Sequence, residues 1–344
     1  MIMFEGKTVG VVVPAYNEER FIGRVIETLP DFVDRAYAVD DGSTDGTWDE
    51  ILHHATVVNR QPSTQRHRTD GGSFSDRVVP IQHAENRGVG HAIKTGYLRA
   101  LEDGIDATAV MDGDAQMDPD ELERIVRPVV RGAADYSKGN RLLSREFRDE
   151  MPTWRFFGNS VLTLLTKIAS GYWKMMDPQN GYTCISKRAL ETVGIEQMYG
   201  DYGYCNDLLV RLNANRMRIA DVAMPAVYGD EESHINYTTS IRRVSLLLLR
   251  GFLWRMKIKY LVLDFHPLVL FYALGATVCA IGVFGRLWSL FAALVDGSPF
   301  FLRAVASLST LTVGSLPLLF AMVFDMRVNE DREVQFTGEG EIGL

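Results

Sequence analysis

The chain has 344 residues, 47% of them hydrophobic, enough to bury a large core and carry one sizeable domain with something smaller beside it. Its formal charge of -8 leaves no basic surplus to neutralise phosphate backbones, which argues against a nucleic-acid partner. The cysteines Cys184, Cys205 and Cys279 are far apart and in no metal-ligand spacing, so they read as free thiols of a reducing compartment and imply no zinc site.

Glu5, Gly6 and Lys7 lead directly into the first strand without a signal-peptide pattern, which places the bulk of the protein in the cytoplasm. Residues 8–13 are a continuous apolar run, read as a buried strand. Pro14 Ala15 Tyr16 Asn17 Glu18 Glu19 end it at a turn where Asn17 can cap a helix over 18–29. Tyr16 is expected near a nucleotide edge. Residues 36–39 form the next strand, and Asp40 Asp41 Gly42 Ser43 Thr44 Asp45 Gly46 form a loop before a short helix from Thr47. A carboxylate there can accept the imide hydrogen of uracil or guanine, although Asp, Gly and Ser are also ordinary turn residues. From 59 to 76 the composition turns polar, as in a flexible surface insertion.

A strand at 78–82 leads to Asn86 Arg87 Gly88 Val89 Gly90 His91 and a helix to Leu101. Gly88 and Gly90 allow close backbone approach of a ligand to that helix N-terminus, where amides and dipole favour negative charge. Residues 107–111 then read as a buried strand carrying Asp112 Gly113 Asp114 at its carboxyl end. Asp118 is the N-cap and Pro119 the first residue of a helix over 119–131. Ligands of open α/β sheets bind at that edge, and two carboxylates one residue apart can both reach a hard cation. Magnesium or manganese holding a diphosphate is the guest they suit, with a solvated turn as the competing reading of the triplet taken alone.

Residues 136–139 give another strand, leading to Asn140 and Arg141, and a charged loop over 144–152 precedes an amphipathic helix at 154–170. Arg155 and Asn159 lie one turn apart on that helix and share a face. A strand at 183–186, a helix at 187–193, a helix from about Asp207 to 215 and a strand-like stretch at 221–228 follow. The alternation predicts an α/β domain with a mostly parallel sheet covered on both faces by helices.

Residues 240–260 combine apolar side chains with Arg242, Arg243, Arg250, Arg255, Lys257 and Lys259, the pattern of a helix lying among lipid headgroups. Residues 304–324 hold no charge. At about 1.5 Å per residue that run crosses a hydrocarbon core of roughly 30 Å. Residues 267–285, extendable to 295, form a second span. Two spans return the chain to its starting side, and the basic flank sets that side as the inside. The expected organisation is a catalytic domain at 1–237 with a flexible insertion at about 59–77, an interface helix at 238–262, a transmembrane hairpin at 263–326 and a cytoplasmic tail at 327–344.

Taken together, Val13 Pro14 Ala15 Tyr16 Asn17 Glu18, Val39 Asp40 Asp41 Gly42 Ser43, Asn86 Arg87 Gly88 Val89 Gly90 and Asp112 Gly113 Asp114 resemble the family 2 inverting glycosyltransferases of the GT-A fold. The chain looks most like their polyprenyl-phosphate hexosyltransferases, the dolichyl-phosphate mannose or glucose synthase type, over about residues 8–237. The resemblance implies that Pro14, Tyr16, Glu18, Asp41 and Gly88 face the nucleotide, and that Asp112 and Asp114, with Gln116 nearby, hold the diphosphate and its Mg2+ or Mn2+. It implies Arg141, Arg155 and Asn159 as acceptor-phosphate contacts. Asp207 falls near the acidic acceptor-side position, although Tyr204 Cys205 Asn206 Asp207 departs from the usual paired acids. The implied partners are a nucleotide sugar, a polyprenyl (dolichyl or undecaprenyl) phosphate and the cell membrane, with no nucleic acid; a homo-oligomer is compatible with this. Two rivals are a processive polysaccharide synthase and a noncatalytic membrane-anchored nucleotide-sugar-binding module. Against the first, this chain shows no Gln-x-x-Arg-Trp motif after Asp207 and only two spans where a polymer-conducting pore needs more, and the intact Asp112 and Asp114 speak against the second.

Overall fold

The structure, a computed structural model, describes residues 4–60, 74–141, 153–225, 237–296, 300–337 and 340–342. In chain order it runs β1 (Val9–Ala15), α1 (Ile22–Glu27), β2 (Arg35–Asp40), α2 (Thr47–Arg60), β3 (Val78–Gln82), α3 (Val89–Glu102), β4 (Ala107–Val110) and α4 (Leu122–Val130). Then come β5 (Tyr136–Asn140), α5 (Thr153–Ser170), β6 (Thr183–Ser186), α6 (Lys187–Thr192), α7 (Tyr204–Ala214) and β7 (Ile219–Ala223). The chain ends with α8 (Tyr237–Lys257), α9 (Leu268–Asp296), α10 (Phe300–Asn329), β8 (Glu333–Thr337) and β9 (Gly340–Ile342). Most of the predicted insertion at 59–77, the 144–152 loop and the end of the predicted strand at 221–228 lie outside the described residues.

Among the described residues the strands make one nine-stranded sheet, ordered β3-β2-β1-β4-β6-β5-β7-β8-β9. It is mostly parallel, as expected, with β6 antiparallel to β4 and β5, and β9 antiparallel to β8. Every residue of β1 is buried, because helices cover both faces and side chains alternate between them. Val11 and Val13 pack with Ile22, Val25 and Ile51 of α1 and α2 and with Ile125 of α4. Val12 turns the other way, into a second layer with Ile93 and Tyr97 of α3 and Leu208 and Leu209 of α7. From β1 the chain moves outward to β2 and β3 and then crosses back to β4 on the other side. The crevice of such a sheet opens where the order reverses, at the carboxyl ends of β1 and β4.

Asp118 caps as predicted, accepting the Asp120 N–H at 3.0 Å with Pro119 next in line. Asn17 does not cap a helix. It sits at a left-handed φ of 59° and its Oδ1 accepts the Thr44 N–H at 2.8 Å, so α1 begins only at Ile22. The hydrogen bond that would have started the helix instead ties the β1 turn to the β2 loop.

Met1–Gly251 together with Asp331–Leu344 form one compact unit, and Phe252–Glu330 a second. The predicted tail at 327–344 thus contributes structure to the first unit, where β8 pairs in parallel with β7, Ile219 opposite Glu333. In the second unit α9 and α10 run antiparallel. A Cβ at Gly282 would lie 2.7 Å from Leu311 Cγ, so a small residue there lets the helices approach closely. Leu274, Ile281, Phe284, Phe301, Leu302 and Leu316 point outward and are exposed. By length and composition Leu268–Val295 and Phe300–Arg332 are sufficient to cross a membrane. Within the same unit Arg255 grips Asp325 through both terminal nitrogens, at 2.9 and 2.8 Å, and Tyr260 donates to that carboxylate at 2.6 Å.

Candidate active site

The loops leaving β1, β2, β3 and β4 are bonded to one another at the crevice. Asp41 N–H donates to Ala15 O at 2.9 Å, Glu18 N–H to Thr47 Oγ1 at 2.7 Å, and Gly113 N–H to Pro14 O at 3.1 Å. Pro14 is buried beneath them, Glu18 is half-buried, and the Tyr16 ring stands out at 44% exposure, free to lie against a planar ligand. Asp41 is buried and already engaged. Its carboxylate meets His83 Nδ1 at 2.7 Å and accepts the Gly88 N–H at 2.7 Å and the Arg87 N–H at 3.1 Å. Here Asp41 binds the β2 loop to the start of α3.

Gly88 and Gly90 do permit a close approach, made in this structure by the protein's own backbone. A Cβ at Gly88, which has a φ of 94°, would lie 2.8 Å from Gly200 O, and one at Gly90 2.6 Å from Tyr199 O. The His91 N–H also donates to Gly200 O, at 3.0 Å. The segment at 199–201 therefore lies over the N-terminus of α3 where a ligand was expected.

Asp112 and Asp114 follow β4, both partly exposed. A Cβ on Gly113 between them would sit 2.9 Å from Pro14 O, so only glycine lets the β4 end lie this close to β1. Ala115 takes a left-handed φ of 60°, which turns the chain so that the Gln116 N–H reaches Asp114 Oδ1 at 3.0 Å. That conformation costs an L-residue about 1–2 kcal/mol, the kind of strain that collects at functional sites. Desolvation, with the charge of Asp114 beside it, pushes Asp112 up to about 7; desolvation also raises Asp114, against the Gln116 amide. Two oxygen-donor carboxylates that resist ionising together suit a hard divalent cation. Among the described residues no group of three or more His, Cys, Asp or Glu side chains gathers for a metal, so further ligands would come from phosphate oxygens and water, as is usual for Mg2+.

Overpacking this turn typically costs enough to weaken binding about tenfold to a hundredfold. Gly113→Ala is therefore expected to lower affinity for a nucleoside diphosphate by about tenfold or more, read by calorimetric titration. Unchanged affinity would show that the β1–β4 contact does not shape the site.

Arg141, just beyond β5, forks onto Asp177, with Nε and Nη2 at 2.7 and 2.9 Å from the two carboxylate oxygens. Burial opposes ionisation of Asp177, yet the hydrogen bonds and charge of Arg141, with Lys138 behind, hold it below the usual carboxylate range. Lys138 is itself buried and donates to Met176 O and to Asp177 O, the latter at 3.0 Å. The same turn continues to Gly181, where a Cβ would stand 3.3 Å from Asp112 Oδ2 and 3.5 Å from the Tyr204 hydroxyl. Arg141 is thus held by a turn that also approaches Asp112.

Asp207 is engaged elsewhere, accepting the Tyr199 N–H at 2.9 Å and Arg211 Nε at 2.8 Å. Of the first turn of α7, Tyr204 lies toward Gly181, and Asn206 accepts Gln179 Nε2 at 2.7 Å. Arg155 and Asn159 fall on α5, one turn apart, with side chains outside the described residues. Sequence reading missed Asp177, Lys138 and Tyr204; the turn Asp177 Pro178 Gln179 Asn180 Gly181 was visible, but nothing local pairs it with Arg141.

A UDP-N-acetylglucosamine–dolichyl-phosphate N-acetylglucosaminyltransferase of Methanococcus voltae is 30% identical over 226 residues, covering 65% of this chain and 87% of that protein. An undecaprenyl-phosphate mannosyltransferase of Micrococcus luteus is 26% identical over 220 residues, covering 63% of this chain and 82% of that protein. Among solved structures, the glucosyl-3-phosphoglycerate synthase of Mycobacterium tuberculosis, with Mn2+, UDP and glucosyl-3-phosphoglycerate, shares the fold at a TM-score of 0.51 and 20% identity, covering 74% of this chain and 81% of that one. The family model described as Glycosyl transferase family 2 matches residues 10–194, which span β1 through α6 and include Asp112, Asp114 and Arg141. With more than half its length inside that match, and with Asp112 and Asp114 at the sheet's switch point, the chain belongs to glycosyl transferase family 2 and is a glycosyltransferase.

Proposed function

We propose that the protein moves one hexose from a UDP- or GDP-linked sugar to a polyprenyl phosphate, with inversion at the anomeric carbon. The observation that carries this reading is geometric: Asp112 and Asp114 leave β4, and Arg141 leaves β5, at the same sheet edge, and the 177–181 turn onto which Arg141 forks approaches Asp112. One end suits a metal-bound diphosphate and the other a second phosphate. Both relatives described above carry polyprenyl-phosphate acceptors in their names.

Tyr16, with Glu18 and the buried Pro14 beside it, receives the nucleoside, while Asp41 acts through the β2 loop and the Gly88 turn that it ties together beneath it. Asp112 and Asp114, with Gln116 beside them, would hold Mg2+ or Mn2+, which would supply charge stabilisation to the leaving diphosphate. Arg141 orients the acceptor phosphate and offsets its repulsion from the donor, and Arg155 and Asn159 on α5 add to that pocket. An oxygen of the acceptor phosphate forms the new bond to the anomeric carbon while the bond from that carbon to the diphosphate oxygen breaks, and a single displacement inverts the configuration. A phosphate monoester with a second pKa of about 6 is already mostly dianionic at pH 7, so it attacks without a strong general base. The engagement of Asp207 with Arg211 and Tyr199 agrees with that.

The protein is read as a two-pass membrane protein with its catalytic unit on the cytoplasmic side. The exposed Arg242, Arg243, Arg250 and Lys257 of α8 support the side, whereas Arg255 and Lys259 are buried and do not face lipid headgroups as expected. The even number of crossings is supported by the sheet, since β7 precedes the two apolar helices, β8 follows them, and the two strands pair. A chain that leaves and rejoins one sheet crosses a bilayer an even number of times. Mass spectrometry of the lipid product tests the single transfer, with one hexose per polyprenyl phosphate expected; a ladder of oligosaccharides would instead indicate a processive enzyme.

A further inference from the structure

The strand that follows the apolar hairpin carries one buried acid, Glu333, at the first position of β8. Its carboxylate accepts three consecutive backbone amides, Trp173 N–H at 2.7 Å, Lys174 N–H at 2.8 Å and Met175 N–H at 2.7 Å. The next amide, Met176 N–H, goes to Asp221 Oδ2 at 2.8 Å, and Lys138 takes the carbonyls of Met176 and Asp177. The segment after Gly171 is therefore wired residue by residue until it reaches Asp177, the partner of Arg141. A run of converging amides is an anion nest. In this fold the anion is supplied from a part of the chain about 160 positions away. Burial pushes the Glu333 carboxyl up to about 7, so the fold keeps an acid where burial disfavours its charge.

We propose that Glu333 is a positioning residue for sugar transfer: through the amides of Trp173, Lys174 and Met175 it fixes the segment that ends in Asp177 and so sets where the Arg141 guanidinium stands. This rests on the reading of Arg141 as an acceptor-phosphate contact. The family match ends at residue 194, so Glu333 lies beyond it. Glutamine at this position keeps the shape but offers one neutral oxygen to three donors. Lost hydrogen bonds to a charged group are worth about tenfold to a hundredfold.

The test uses the full-length chain in detergent or lipid. Glu333→Gln is expected to raise KM for polyprenyl phosphate about tenfold while KM for the nucleotide sugar stays unchanged, and to speed hydrogen exchange at 173–175 about tenfold to a hundredfold. A folded variant with unaltered acceptor KM and unaltered exchange overturns the proposal. So does a variant that loses donor and acceptor kinetics in parallel with its folded fraction, since that is a merely structural role. Should Glu333→Gln not fold, Glu333→Asp keeps the buried charge but falls one methylene short, and unchanged acceptor KM in that variant is equally decisive. Wild-type protein that transfers no sugar to any polyprenyl phosphate defeats the proposed function instead, and the exchange comparison still decides whether Glu333 fixes the segment.

Discussion

Asp114→Ala lowers sugar transfer by about a thousandfold at limiting divalent cation, the scale seen when a group aimed at developing charge is removed. The effect is electrostatic. Asp112 and Asp114 leave one turn with Gly113 between them, and Asp112 is already pushed to about 7 by desolvation and by its neighbour. Removing Asp114 leaves one carboxylate, too few to retain a cation that normally keeps most of its water. The remaining acid then becomes easier to ionise, so the apparent pKa assigned to Asp112 falls. Titration of the wild-type protein with Mn2+ supplies a companion result. Protons compete with the cation for the pair, so affinity falls by up to about tenfold per unit as pH drops below 7 and levels off above it. For stability without metal the sign is reversed. A carboxyl raised from 3.8 to about 7 contributes stability that is complete below its unfolded value and is lost as pH rises through 7. Saturating cation should remove that loss. Full transfer by Asp114→Ala at limiting metal, or cation affinity flat from pH 6 to 8, contradicts the assignment.

Arg141→Ala is the second large effect, expected to cost about a hundredfold in kcat/KM for the lipid acceptor. Nucleotide affinity should not change. Arg141 presents a planar fork, and its geometry is set by two hydrogen bonds to Asp177 at 2.7 and 2.9 Å. Arg141→Lys restores the charge but not the paired donors, so it should recover only a small part of the loss. Initial rates with varied acceptor at saturating donor measure this. Equal losses toward donor and acceptor would place Arg141 outside the acceptor pocket.

Much of this was readable in the sequence because it is local. Residues 8–13, 36–39 and 107–111 announce strands through runs of apolar and small side chains, and those strands end at the loops that carry Tyr16, Asp41 and Asp112. The direction of β6 was not readable, since a four-residue apolar strand has the same pattern parallel or antiparallel. Asn17 looked like a cap because its neighbours are helix formers, but the better partner for its side chain, Thr44, is 27 residues away. Gly88 and Gly90 correctly signalled a close approach without revealing that the 199–201 backbone makes it. Asp177, Lys138 and Glu333 were invisible as a group for one reason: their partners meet only when β5, β7 and β8 assemble, and a polar segment at 327–344 carries no periodicity that foretells a strand.

The most direct test of the account is transfer of radiolabelled hexose by the full-length protein, with UDP- and GDP-sugars each offered to dolichyl and undecaprenyl phosphate. The account predicts label in an organic-extractable lipid for at least one pair, lost on chelation of divalent cations and restored by Mg2+ or Mn2+. Label that never leaves the aqueous phase, or transfer indifferent to chelation, would contradict it.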